Sequence, residues 1–125
     1  MSPVGTAQYS YTVDKGDLVV TSGVTVAWRG RPHGMAVDKA IAIPRSQDSI
    51  VLLDYGQSKV NRFRNLLRCR PDGQVVWTAD LPGGDIEAYV DVSWDGDKLS
   101  ATSWSGYKVL IDPSTGKVTG RTFVK

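Results

Sequence analysis

Turn-forming residues are spaced so closely along this chain that they decide its fold class before any hydrophobic pattern is read. Thirteen glycines and six prolines are scattered so that few windows could hold three uninterrupted helical turns. A helix interior loses about 1 kcal/mol for each glycine and about 3 kcal/mol for each proline. The segments between them are rich in Val, Ile, Thr, Tyr and Trp, whose branched or planar side chains suit a pleated surface. The sequence therefore predicts an all-β chain of antiparallel hairpins and meanders, with no helix longer than about three turns.

The turns can be placed individually. Asp72-Gly73, Asp95-Gly96 and Pro113-Ser114-Thr115-Gly116 each lie between β-type runs, where a hairpin needs residues tolerant of unusual φ. They pair 66–70 with 74–79, 88–94 with 98–103, and 107–111 with 117–123. Upstream, 8–13, 17–21 and 24–28 form a three-strand meander broken at Lys15-Gly16 and Ser22-Gly23. A further hairpin joins 40–43 to 49–55 around Pro44–Asp48, and 56–64 reads as a long loop. Alternation is clearest between Ile86 and Trp94, where Ile86, Ala88, Val90, Val92 and Trp94 are expected on one buried face.

An internal echo accompanies these turns. Cys69-Arg70-Pro71-Asp72-Gly73-Gln74-Val75 is similar to Ile111-Asp112-Pro113-Ser114-Thr115-Gly116-Lys117-Val118, with Ser49–Gly56 and Leu99–Gly106 in matching places ahead of each. A spacing near forty residues is that of four-stranded propeller blades. The Arg-Pro-Asp-Gly-Gln-Val-Val-Trp and Asp-Pro-Ser-Thr-Gly-Lys-Val segments resemble the outer hairpin of quinoprotein-type β-propeller repeats over the C-terminal two-thirds of the chain. The resemblance implies blade-like units at about 40–80 and 86–125. Propellers close with at least four blades, and this chain holds about two and a half. Either several chains complete a ring, or the sheets pack as a small sandwich or partial barrel, the reading preferred here. No cofactor-binding residue of quinoproteins can be matched, so no cofactor is expected.

Length and composition bound the rest. One domain fits 125 residues, with 41% hydrophobic and 22% charged residues near the globular norm. A net charge of +2 is too mild to indicate a nucleic-acid binder. The single cysteine, Cys69, permits no internal disulfide and points to the cytoplasm. Met1–Thr6 shows neither the basic nor the apolar region of a signal peptide, although a leader already removed would leave no trace. No apolar run reaches the length of a membrane span.

Chemistry-bearing residues are few. His33, the only histidine, lies in Arg29-Gly30-Arg31-Pro32-His33-Gly34. It reads as a turn histidine that, with Arg31, forms a binding edge, because no nucleophile or orienting acid is placed beside it. Cys69 alternates away from Arg68 and Arg70 and reads as a buried inert thiol. One His and one Cys offer no metal-ligand spacing, and Asp85, Glu87 and Asp91 define no acid–base pair. The chain is accordingly read as a non-enzyme.

Two features point outward. Lys59, Arg62, Arg64, Arg68 and Arg70 fall within twelve positions without an acid. In an extended chain Arg62, Arg64, Arg68 and Arg70 share a face that suits an acidic protein surface or a small anion. Trp104 and Tyr107 flank a strand-end turn and form the most plausible exposed aromatic pair. The function expected is a non-catalytic protein-interaction module, such as a small bacterial inhibitor or immunity-type protein. Small-ligand or anion binding by the arginine strip is the alternative, and an enzyme ranks third. Nucleic acid and membrane are not expected partners, and an oligomer is compatible with the sequence.

Overall fold

A computed structural model describes residues 8–57 and 59–124; the sequence reading of Met1–Thr6 lies outside the described residues. Eleven strands follow in order: β1 (Tyr9–Asp14), β2 (Asp17–Ser22), β3 (Thr25–Gly30), β4 (Val37–Ala42), β5 (Ser49–Leu53), β6 (Leu66–Cys69), β7 (Val75–Thr78), β8 (Tyr89–Asp95), β9 (Lys98–Ser103), β10 (Tyr107–Ile111) and β11 (Val118–Phe123). Between them lie two single turns of 3-10 helix, Pro32–Gly34 and Tyr55–Gln57. The chain is all-β, as its turn spacing dictates. Lys15, Gly16, Gly23, Gly73, Gly96 and Gly116 take positive φ in the turns.

The strands form three antiparallel meanders, each joined in chain order: β1-β2-β3, β4-β5-β6-β7 and β8-β9-β10-β11. They stack face to face through two apolar interfaces and close no barrel. The middle sheet is covered on both sides, and β5 is buried at every position. Val51 and Leu53 meet Leu18 and Val20 of the first sheet, together with Leu67 and Cys69 of β6. Ile50, Leu52 and Leu66 turn the other way, onto Tyr89, Val92, Leu99, Val109 and Ile111 of the third sheet. Alternation along one strand thus feeds two cores, the pattern of a strand with no solvent face.

The outer hairpin of every sheet carries the same irregularity. Val20 pairs with Trp28 and Thr21 with Val26; Arg68 pairs with Trp77 and Cys69 with Val75; Leu110 pairs with Gly120 and Ile111 with Val118. Ala27, Val76 and Thr119 are therefore bulged residues at one common register, each bending the outer strand. The residue after the bulge faces the next sheet. Trp28 covers the turn at Gly73, and Trp77 covers the turn at Gly116, where an added methyl would come within 2.7 Å of the indole. The Trp77 indole N–H also donates to the Pro113 carbonyl at 2.8 Å. Only glycine admits a ring so close to a backbone already in left-handed geometry.

Polar links join the sheets where apolar packing ends. Asn65, fully buried, donates to the Leu53 and Tyr89 carbonyls and accepts from the Tyr89 N–H at 2.7 Å. It thereby extends β5 toward β8 with a side chain in place of a ladder. Lys39 on β4 pairs with Asp91 on β8 at 3.0 Å, and the Trp94 indole donates to the Ala42 carbonyl.

One expected face is corrected. A bulge between Tyr89 and Asp91 reverses the alternation upstream of Val92. Tyr89 is consequently buried, while Ile86 lies outside the strand and is exposed. Ala88 is buried as expected, and the residues packed on the core are Tyr89, Val92 and the partly buried Trp94.

Candidate functional site

Three arginines of the strip donate to the protein's own backbone, and three of the four are exposed. Leu66 and Arg68 share the β6 face that packs on the third sheet. Arg68 is only 20% exposed; it pairs with Asp48 at 2.9 Å and donates to the Pro113 carbonyl at 2.8 Å. Arg64 donates to the Thr78 and Ala79 carbonyls and pairs with Asp80 at 3.3 Å. Arg62 donates to the Gly83 and Gly84 carbonyls. The three guanidinium groups thus hold the 78–84 segment and the 113 turn, where backbone carbonyls need donors that a sheet ladder does not provide. Arg70 is exposed, with a long contact to Gln74 at 3.4 Å. Arg62 and Arg64 are exposed like Arg70, and Arg68 is the member of the strip that is turned inward.

His33 is exposed in its Pro32–Gly34 turn at φ 56. Its arginine neighbours belong to an ion cluster on the first sheet. Arg31 and Arg29 both pair with Asp17, at 2.8 and 2.9 Å, and Arg29 also pairs with Asp14. Their hydrogen bonds, that of Arg31 first, hold the Asp17 carboxyl below its ordinary range. Cys69 is buried as expected, and burial pushes its thiol up to about 12, which disfavours the thiolate. Among the described residues no three His, Cys, Asp or Glu side chains gather as a metal cage. No described helix is long and apolar enough to cross a membrane.

Trp104 is exposed and Tyr107 is half-buried. Tyr107 stacks edge-on with Phe123 at 5.4 Å, with Arg121 over its ring. Trp104, 51% exposed, instead joins Tyr55, Val60, Phe63 and Ile86 around a concavity of about 240 Å³, which Lys59 also lines. Tyr55 and Ile86 are about half exposed and Val60 64% exposed.

Glu87 builds this concavity. Its N–H donates to the Asn61 carbonyl and its own carbonyl accepts from Phe63, both at 2.9 Å, so the 61–63 segment lies beside it as a short parallel bridge. Its carboxylate, 1% exposed, accepts from the Ser105 N–H at 3.0 Å and from the Ser105 hydroxyl. The Trp104 N–H donates to the Ala88 carbonyl at 2.8 Å. One buried acid therefore fastens three segments distant in sequence and leaves their apolar side chains facing outward. Glu87 itself lines the concavity, with its carboxylate held by Ser105.

Trp104 was legible as an exposed aromatic because it ends a strand at a Ser-Gly turn. Tyr55, Val60 and Ile86 were missed. Each is a single apolar residue in a loop, and the only signal was its isolation among polar and glycine neighbours. The family model described as "Domain of unknown function (DUF7957)" matches residues 36–123, from the start of the second sheet to the end of the third. No curated protein matches the chain.

Proposed function

The chain belongs to the family described as a domain of unknown function, DUF7957, and from that premise we propose that it is a non-catalytic protein-interaction module. The observation that carries the reading is the cluster of Tyr55, Val60, Ile86 and Trp104, all exposed around one concavity of the β scaffold. Large side chains left in water at a shared depression are the usual anchors of a protein interface. The depression, about 240 Å³, falls below the roughly 300–1,000 Å³ typical of small-molecule pockets. That size suits one or two anchoring side chains from a partner. Action by covering a surface, as inhibitors and immunity proteins do, is the form of this role proposed here. The repeated outer-strand bulge and the indole-on-glycine contacts support kinship with propeller blades, which stays a proposal about ancestry and lends no cofactor.

The test is affinity capture from the source cell with wild-type protein and with the Trp104→Ser/Ile86→Ser double variant. The partner retained by the wild type is expected to be lost by the variant, with affinity reduced by at least about 30-fold, as for a hot spot worth about 2 kcal/mol. A folded double variant that retains the same partner equally well overturns the assignment of the concavity.

A further inference from the structure

The two sheet interfaces share one contact: an indole on the outer strand of one sheet covers the turn glycine of the next. Trp28 sits on Gly73, and Trp77 sits on Gly116. The same series can be followed past both ends of the stack. At the third sheet the residue after the bulge is Gly120, so no ring projects from that free face. At the first sheet the outer turn carries Gly23 at φ +61, with no described atom within 4 Å of where its Cβ would stand. Val24 beside it is fully exposed, and Val26 is 57% exposed. This face continues the established sheet-on-sheet stack and presents the half of the contact that accepts a ring.

We propose that the Gly23 turn is a socket for an aromatic side chain carried on the outer strand of a β-sheet in another protein, which packs on the β1–β3 sheet as a fourth layer. The occupant is identified by the chemistry used twice inside the chain: an indole laid on a positive-φ glycine, beside branched apolar side chains. A second copy in the same head-to-tail register does not supply that ring, because Gly120 occupies the position. The surface is separate from the Trp104 concavity, so the two assignments stand or fall apart.

Restoring the missing ring converts the chain into its own probe. At Gly120 an added Cβ has only Leu110 Cδ1 near it, at 4.0 Å, and the backbone is not left-handed. Gly120→Trp therefore places an indole on the open face without strain. The variant is expected to associate head to tail, its weight-average mass by light scattering rising with concentration to about twice that of wild type or more. Gly23→Asn in the same chain keeps a residue that tolerates left-handed φ but fills the socket, and is expected to return the mass to the wild-type value. A Trp104→Ser change is expected to leave the association intact. Gly120→Phe is the parallel variant should the larger ring disturb folding. A folded Gly120→Trp or Gly120→Phe protein with wild-type mass overturns the socket, as does association that survives Gly23→Asn.

Discussion

Arg68 stands where alternation put it, on the β6 face shared with Leu66, yet that face looks into the molecule. Parity along a strand assigns side chains to two faces without saying which face meets water. For β6 both faces are covered, and a long cation on a covered face is retained only if its donors are taken up. Arg68 satisfies Asp48 and the Pro113 carbonyl, whereas Arg70, one turn of alternation further on, reaches solvent. Removing Arg68 leaves Asp48, only 18% exposed, without its ion pair. Arg68→Ala is therefore expected to lower unfolding free energy by about 1–3 kcal/mol. Arg70→Ala is expected to stay within about 0.5 kcal/mol of wild type. Urea midpoints at constant slope measure both. Equal effects from the two substitutions would show that the strip behaves as one solvated row.

The hairpins were the legible elements, because each is bounded by residues with a local reason to turn. Gly73, Gly96 and Gly116 all take the positive φ their turns require, and the strands on either side start and end within two or three residues of the positions read from sequence. The bulges were not legible. A bulge depends on which residues of a neighbouring strand must be met, and with the one at Val90 Ile86 lies at the rim of the concavity instead of on the expected core face. The turn glycines also differ in a way sequence does not reveal. Gly96 has nothing within 4 Å of its Cβ direction, whereas Gly116 lies under the Trp77 ring. Alanine at Gly96 is expected to cost about 1–2 kcal/mol for left-handed φ alone. Alanine at Gly116 is expected to cost a further 1–3 kcal/mol or so, because the indole must move. Thermal melts of the two variants separate backbone strain from the ring contact; equal shifts would show that the indole yields freely.

At the scale of the molecule, the stacking of three meanders is a long-range outcome that local patterns constrain only weakly. The uninterrupted burial of β5 was the available sign that one sheet would lie between two others. The convergence of Tyr55 and the 59–63 segment with the 86–88 segment and Trp104 on one concavity follows from that stacking. The stack also sets a pH response. Burial raises Cys69 from its ordinary value near 9 to about 12 and Tyr11 from 10 to about 12 in the first interface. In the second interface burial raises Tyr89, whose hydroxyl donates to the Asp80 carbonyl. Each group stays protonated in the folded chain at a pH where the unfolded chain has released its proton. Well below pH 9 both states hold these protons and stability does not depend on them. Above it the unfolded state binds fewer protons than the native state, so unfolding free energy falls as pH rises. The thermal midpoint is therefore expected to decline from about pH 9 upward, first through Cys69 and then through the tyrosines. In Cys69→Ala, whose midpoint is lower throughout because a buried side chain is shortened, the decline is expected to begin nearer pH 10. Calorimetry between pH 7 and 11 checks both curves, and a wild-type midpoint that holds steady or rises between pH 9 and 11 would show that the two interfaces open to water without unfolding.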